Sequence, residues 1–411
     1  MIAFRKQSDK LKNLFKQLLQ SKNLTSTLNE LEAPSAFLIK SHLDYNIHLI
    51  REKVEGKKIR IASKSVRNIS VIKYVTKRLG DTCSGVMAYH PREALFLLQN
   101  GIRDVLLGYP CYHPEDCESL IRDYNEKVTF MVDTLEHVEL LDSIGVAYGK
   151  KVRICLDIDM SIDIGNFRFG VFRSSLMNID SFTDLLEKIL SFNSVRIVGI
   201  MGYEAQVAGI PDLLYNGAKN LIISLLKKRS MRKIISFRKK VCEILQHKGV
   251  DLEFFNAGGT GSIDSSKKEE WVTEITVGSG FYDSYLFDFY KNLPVKPSLF
   301  FNLLIVRKPR HDIATLHGGG YVASGAIGLE KVPAPIDEKV GLLSNELAGE
   351  VQTPIKLLSD KHSYKIGDRV IFRHAKAGEL CEHFNHVYLL DQEYKPLHKW
   401  KTYRGEGQIF V

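Results

Sequence analysis

Short apolar runs alternate with amphipathic stretches between Ile59 and Gly280, and eight such runs can be counted: 59–62, 83–87, 104–108, 128–132, 152–158, 195–201, 252–256 and 274–278. Runs this short and this apolar read as strands covered on both faces, and the longer segments between them place apolar residues at helical spacing. Eight strand–helix units in series predict an α/β fold, a TIM (β/α)8 barrel. A doubly wound sheet would show the same alternation. However, the residues of chemical interest fall at strand carboxyl ends along the whole series: Lys64, Asp133, Asp157, Asp159, Tyr203, the turn at Gly258 and Gly278-Ser279-Gly280. A closed barrel builds its site from all of its strand-to-helix loops, so this distribution favours closure.

The flanks have a different pattern. Leu11, Leu14, Phe15, Leu18 and Leu19 stand at helical spacing with lysines between them, which predicts an amphipathic helix within residues 1–30 packed on the body of the protein. Pro34-Ser-Ala-Phe-Leu-Ile-Lys40 predicts a strand, followed by a helix around Leu43 to Lys53. After Tyr290, prolines at 294, 297, 309, 333 and 335 punctuate β-rich runs at 299–306, 369–373 and 386–390, so a second, mostly β domain is expected. The strand at 34–40 is assigned to that domain. The expected division is a helical extension over 1–32, the barrel over 33–293 and the β-rich domain over 294–411.

Composition narrows the class. The chain has 411 residues, 44% of them apolar, and no apolar run approaches the roughly 18 residues of a spanning helix. The amino terminus has basic residues but neither the uninterrupted apolar stretch nor the small-residue cleavage site of a signal peptide, so a cytoplasmic protein with no membrane partner is expected. Six scattered cysteines (Cys83, Cys111, Cys117, Cys155, Cys242, Cys381) predict reduced thiols. The net charge of +9 is densest in Lys227-Lys-Arg229, Arg232, Lys233 and Arg238-Lys-Lys240, interleaved with Leu225, Leu226, Ile234, Ile235, Val241, Ile244 and Leu245. That interleaving reads as solvated faces of core-facing helices, and no nucleic-acid partner is expected.

Two features carry chemistry. Lys64 ends the strand-like run Lys58-Ile-Arg-Ile-Ala-Ser-Lys64, and taken alone it would be a solvated lysine. Downstream, Asn256-Ala-Gly-Gly-Thr-Gly-Ser262 follows the apolar run Leu252-Glu-Phe-Phe255 and offers backbone N–H groups to a phosphate. A lysine and a phosphate cradle on one barrel rim suggest pyridoxal 5'-phosphate held as a lysine Schiff base. Such a lysine must lose its proton, which a desolvating barrel interior promotes.

In order and spacing these segments resemble the fold-type III pyridoxal-phosphate enzymes, the alanine-racemase-like barrels, and within them the branch of D-threonine aldolases and eukaryotic-type D-serine dehydratases. The resemblance spans roughly residues 33 to 390. It rests on Pro34-Ser-Ala-Phe-Leu-Ile39, Asp44-Tyr-Asn46, Arg60-Ile-Ala-Ser-Lys64, Asp157-Ile-Asp159, Gly165-Asn-Phe-Arg-Phe-Gly170, Gly199-Ile-Met-Gly-Tyr-Glu204, the turn at Gly258 to Gly261, and Gly278-Ser279. It implies that Lys64 holds the cofactor and acts afterwards as acid or base. Arg168 would stand beside the ring or the bound carboxylate, or else form a barrel salt bridge with Asp157 or Asp159. Tyr203 would meet the pyridine ring or serve as a core tyrosine. Gly258, Gly259, Thr260, Gly261, Gly278, Ser279 and Tyr282 would surround the phosphate.

Arg373-His-Ala-Lys-Ala-Gly-Glu-Leu-Cys-Glu-His-Phe-Asn385 resembles the segment that supplies a divalent-metal site in this branch. There a histidine is followed two positions later by an aspartate or cysteine ligand, whereas here His374 is followed by Lys376. His374 and Cys381 are the candidate metal ligands, with Glu379 and His383 as alternatives. His374 acting directly as an acid or base, or Lys376 replacing the cation, are the metal-free readings. The resemblance implies a lyase acting on small β-hydroxy D-amino acids by retro-aldol cleavage, with D-serine dehydratase-like elimination, racemisation and non-catalytic cofactor binding as alternatives. A homodimer is expected, because sites of this fold type are often completed by a partner's carboxyl-terminal domain.

Overall fold

The computed structural model describes residues 9–215, 217–325, 328–359, 364–376 and 378–411. Strand β1 (Ser35–Ile39) precedes the barrel, and β2 (Lys58–Ala62), β3 (Cys83–Ala88), β4 (Val105–Leu107), β5 (Val128–Val132) and β6 (Val152–Asp157) form its first part. A hairpin of β7 (Ile162–Ile164) and β8 (Phe167–Phe169) follows, and β9 (Val195–Gly202), β10 (Phe254–Ala257) and β11 (Glu274–Val277) complete the ring. The closed order is β10-β11-β2-β3-β4-β5-β6-β9. Each of the eight apolar runs read from the sequence overlaps one of these strands.

Parallel pairing requires a crossover between successive strands, and the helical segments supply it. Closure comes where β11 meets β2, with Val277 opposite Ile61, and where β9 meets β10, with Gly202 opposite Ala257. Both faces of each strand are covered. In β2 the fully buried Ile59 and Ile61 flank Arg60, which is only 2% exposed. A buried guanidinium must be paired, and Arg60 is held by Glu274 at 2.7 Å and Asp104 at 2.5 Å.

The second domain is a nine-stranded sheet built from β1 together with β12 (Leu299–Arg310), β13 (Ile313–His317), β14 (Ala334–Pro335), β15 (Val340–Leu342), β16 (Gln352–Leu357), β17 (Arg369–Arg373), β18 (His386–Leu390) and β19 (Pro396–Lys401). As its sequence position suggested, β1 belongs to this sheet. It runs antiparallel to β12 and parallel to β18, so the barrel is inserted between two neighbouring strands of the second domain. The amphipathic amino-terminal segment forms two helices, Asp9–Gln20 and Lys22–Glu30, divided at Ser21, whose side chain accepts a hydrogen bond from the Leu24 N–H at 3.2 Å. Phe15, Leu18, Leu24 and Leu28 pack on Phe37, Phe300 and Ile371 of the sheet. Residues 1–8 of the expected extension lie outside the described residues.

The basic region corrects one expectation. It is a single helix, Gly217–His247, and its charges are not all solvated. Arg238 is completely buried and pairs with Glu204 and Glu269, while Lys227 reaches Asp212 at 2.8 Å. Leu225 and Ile235, expected in the core, are exposed instead. Helical spacing identifies a face; it does not reveal that carboxylates wait beneath part of it.

Replacing Arg238 by Ala leaves two buried carboxylates facing each other and should cost about 3–5 kcal/mol of stability. Lys239→Ala, one residue on and largely solvated, should leave the unfolding midpoint unchanged. Chemical denaturation of the two variants makes the comparison, and equal midpoints would contradict it.

Candidate active site

The carboxyl ends of the barrel strands open into a cavity of about 1050 Å³, roofed by Ser324, Gly325, Lys331 and Lys376 of the second domain. Lys64 projects into it from a tight turn, Ser63–Ser65, that follows β2 directly. The Ser63 hydroxyl anchors this turn by donating to the Met87 carbonyl at 2.8 Å, and Arg67 Nε donates to the Lys64 carbonyl at 3.1 Å. The second domain presses on the same turn. A Cβ on Gly378, at φ +87°, would collide with the Lys64 carbonyl oxygen, so only glycine fits there. The Lys64 Nζ donates to the Tyr109 hydroxyl at 2.8 Å. Its side chain stands exposed in the cavity.

The phosphate-like turn begins at Gly258, whose φ of +77° suits glycine. Some of its N–H groups are used internally: Gly258 donates to Glu204 at 3.2 Å, Gly259 to the Ser262 hydroxyl at 3.0 Å, and Gly280 to the Thr260 hydroxyl at 3.1 Å. The N–H groups of Thr260, Gly261 and Ser279 have no acceptor among the described residues, and all three residues line the cavity. Backbone donors left open at two adjacent turns suit a phosphate. Gly278, also on the cavity wall, packs so closely that a Cβ would lie 2.7 Å from the Ala62 carbonyl oxygen.

Asp133, Asp157 and Asp159 line the wall across from Lys64, at the ends of β5 and β6. Asp133 pairs with His137 at 3.1 Å and accepts from the Ser175 N–H at 2.8 Å. Asp159 pairs with Arg168 at 2.6 Å. Burial, with Asp133 and Asp159 adding to it, pushes Asp157 up to about 8. Tyr203 lines the cavity too, and burial pushes its hydroxyl up to about 12.

Four of the sequence candidates are not brought to this cavity. Arg168 takes the salt-bridge alternative: besides Asp159 it holds Asp163 at 3.2 Å and donates to the Val171 carbonyl, which fixes the β7–β8 hairpin. Arg173, five residues on, lines the cavity instead. Tyr282 is completely buried, with its hydroxyl donating to the Val66 carbonyl at 3.0 Å, and its ring meets His374 edge-on at 6.4 Å. His374 is 2% exposed, and burial together with the Arg373 guanidinium pushes it down to about 3. Cys381 is equally buried, and burial raises its thiol to about 12.

These two candidate metal ligands therefore lie behind the wall, and among the described residues no three His, Cys, Asp or Glu side chains are grouped to hold a metal ion. The residues present do not fit a metal at this wall. Sequence reasoning also missed Tyr109, Arg173 and Lys331. Tyr109 had a usable signal, because it directly follows the 104–108 run at a strand carboxyl end. Lys331 had none.

Comparison with known proteins agrees with this architecture. Residues 40–285 match the family model described as alanine racemase, N-terminal domain. A curated 3-hydroxy-D-aspartate aldolase of Paracoccus denitrificans (strain Pd 1222) is 22% identical over 255 residues, a match that spans 61% of this chain and 60% of that protein's length. The crystal structure of D-threonine aldolase from Filomicrobium marinum superposes with a TM-score of 0.77 at 15% identity, covering 91% of this chain and 95% of that one. D-threo-3-hydroxyaspartate dehydratase from Delftia sp. HT23 superposes at 0.71 with 14% identity, covering 92% and 98%.

The Asp157 carboxyl gives the folded protein a measurable pH dependence. Its pKa is about 8 when folded and near the ordinary aspartate value when unfolded, so the folded state holds the extra proton between about pH 4 and pH 8. Its contribution is fully present below pH 4 and is lost as pH rises through 8. Asp157→Asn should flatten the decline in stability across that window. A variant whose stability falls as steeply as the parent's would show that the carboxyl is already ionised.

Proposed function

The chain belongs to the alanine racemase N-terminal domain family, and from that membership we propose that it is a pyridoxal-phosphate-dependent lyase acting on small β-hydroxy D-amino acids, with retro-aldol cleavage as its reaction. The observation that carries the cofactor is the placement of Lys64 on one rim with the open N–H groups of Thr260, Gly261 and Ser279. The activities for which the aldolase and dehydratase relatives are named support the substrate class.

Bound in this cavity, the cofactor would supply an electron sink for bond breaking at the substrate α-carbon. Lys64 would hold it covalently, while Thr260, Gly261 and Ser279 receive the phosphate and Tyr203 borders the ring. Once the substrate amine displaces it, the Lys64 amine is free to take a proton, with the Tyr109 hydroxyl in contact to relay it. In cleavage the Lys64 amine would take the β-hydroxyl proton as the Cα–Cβ bond breaks, the aldehyde would leave, and a proton returned to Cα would complete glycine. In dehydration it would take the α-proton, the β-hydroxyl would leave as water, and hydrolysis of the resulting imine would give the keto acid and ammonia. His374 lies buried behind Tyr282, off the cavity wall.

Incubating the reconstituted protein with D- and L-β-hydroxy amino acids and identifying the products tests this reading. Glycine with an aldehyde supports it, and a keto acid with ammonia replaces it by the dehydratase. Borohydride reduction of the cofactor-loaded protein should label Lys64, and a label on any other lysine rejects the assignment. His374→Ala should keep the cofactor band and most of its turnover, and loss of turnover with the band intact would return His374 to the reaction.

The two glycines of the turn should respond differently. A Cβ at Gly259 meets Ala208 at 3.1 Å and Tyr203 at 3.2 Å, so Gly259→Ala displaces the cavity wall by a few tenths of an ångström. It should weaken cofactor binding about tenfold with little change in the unfolding midpoint. A Cβ at Gly261 collides with the Ala208 carbonyl and lies 2.5 Å from the Tyr290 ring, so Gly261→Ala should lower the midpoint itself. Cofactor titration and thermal unfolding on both variants separate the effects.

A further inference from the structure

We propose that the cavity wall contributed by the second domain binds an anionic group on the substrate's side chain, so that the chain acts on amino acids with a second acidic group and needs no divalent metal at that wall. The amino-acid part rests on the function proposed above. The anion rests on the side chains themselves.

Ser324, Gly325, Lys331 and Lys376 face the cavity from this domain. Lys376 Nζ donates to the Ser324 hydroxyl at 3.0 Å and stands 3.6 Å from Glu379. Glu379 is itself taken up by the Ser324 N–H at 2.9 Å and by the Ser324 hydroxyl, so this triad fixes the ammonium on the wall. Lys331 lies beside Gly325 and pairs with no carboxylate among the described residues. Lys64, Lys331 and Lys376 all line this one cavity. With Lys64 committed to the cofactor, two ammonium groups remain on this wall against one carboxylate, Glu379, which pairs with Lys376. A bound anion balances that charge and gains charge-assisted hydrogen bonds.

The same wall is unsuited to a divalent cation. None of its three side chains (Ser324, Lys331, Lys376) is a carboxylate, thiolate or imidazole, two are cations, and His374 and Cys381 are buried behind it. Lys376, two positions after His374, brings positive charge to the cavity by a different route.

The test uses protein reconstituted with pyridoxal phosphate, treated with chelator, and titrated with D-aspartate, its neutral isostere D-asparagine, and O-phospho-D-serine while the cofactor absorbance is followed. None of these carries a free β-hydroxyl, so retro-aldol cleavage and loss of hydroxide do not occur, and assaying released phosphate separates binding of O-phospho-D-serine from its elimination. D-aspartate should bind at least about tenfold more tightly than D-asparagine. A Lys331→Met/Lys376→Met double variant should lose that preference while binding D-asparagine as before. O-phospho-D-serine binding more tightly still would support the anion site and assign it to phosphate rather than carboxylate. Equal or undetectable binding of D-aspartate and D-asparagine by the unaltered protein overturns the inference, as does a preference that chelator abolishes and a divalent ion restores. Those results leave the cofactor band in place. If no band forms on reconstitution, the cofactor reading fails and this inference fails with it.

Discussion

Arg238 and Glu204 are both completely buried and form an ion pair that ties three parts of the molecule together. Glu204 directly follows β9 and Arg238 lies in the long helix 217–247; Arg238 also contacts the Gly202 carbonyl and Glu269. Glu204 takes the Gly258 N–H at 3.2 Å and the hydroxyls of Ser262 at 2.7 Å and Ser266 at 2.6 Å. Burial alone would raise this carboxyl, but the Arg238 charge and the serine hydroxyls outweigh it and hold it below the usual glutamate range. An ion pair in this setting adds little net stability compared with well-packed apolar groups. Its effect is to define one conformation of the glycine turn, and the donors of Thr260 and Gly261 stay open because Glu204 has already committed Gly258.

The chain path explains why the site lies where it does. Since β1 and β12 are antiparallel neighbours in the middle of the second sheet, the barrel leaves and re-enters that sheet at one end of this central pair, and the sheet is held over the barrel mouth. Specific contacts fasten it there: Arg67 to Glu382 at 2.8 Å, the Tyr403 hydroxyl to Glu93 at 2.8 Å, and Gly378 against the Lys64 turn. Burial pushes Glu93 up to about 7, so this carboxyl at the interface is only partly ionised near neutral pH. The turn that presents Lys64 is therefore shaped by residues more than three hundred positions away.

That distance separates what the sequence made legible from what it did not. Strand runs, their order and the residues at their carboxyl ends follow from local periodicity, and Lys64, Tyr203, Gly259 and Ser279 all line the cavity as their strand-end positions implied. Side-chain direction beyond a strand end depends on partners brought in by the fold. Arg168 turns to Asp159 and Asp163 because the β7–β8 hairpin places it against them. His374 follows β17 and could have faced either side, but the edge-on Tyr282 ring and the buried Arg373, itself paired with Asp288 at 2.6 Å, draw that stretch into the core. Lys331 comes from a segment with no periodic pattern.

The resulting cavity is electrically uneven in a way that a count of its charges would not reveal. Its acidic side, at the ends of β5 and β6, is largely quenched. Asp159 is paired with Arg168, Asp133 with His137 and a backbone N–H, and Asp157 holds its proton at neutral pH. In the ring of eight strands β6 stands opposite β2, so Lys64 faces this quenched side across the barrel. Lys331 and Lys376 add positive charge from above, with Glu379 as the counter-charge. The open N–H groups at Thr260, Gly261 and Ser279 carry partial positive charge in the same sense. A cavity whose carboxylates are paired or protonated, and in which Lys331 has no carboxylate partner among the described residues, is suited to phosphate and carboxylate groups.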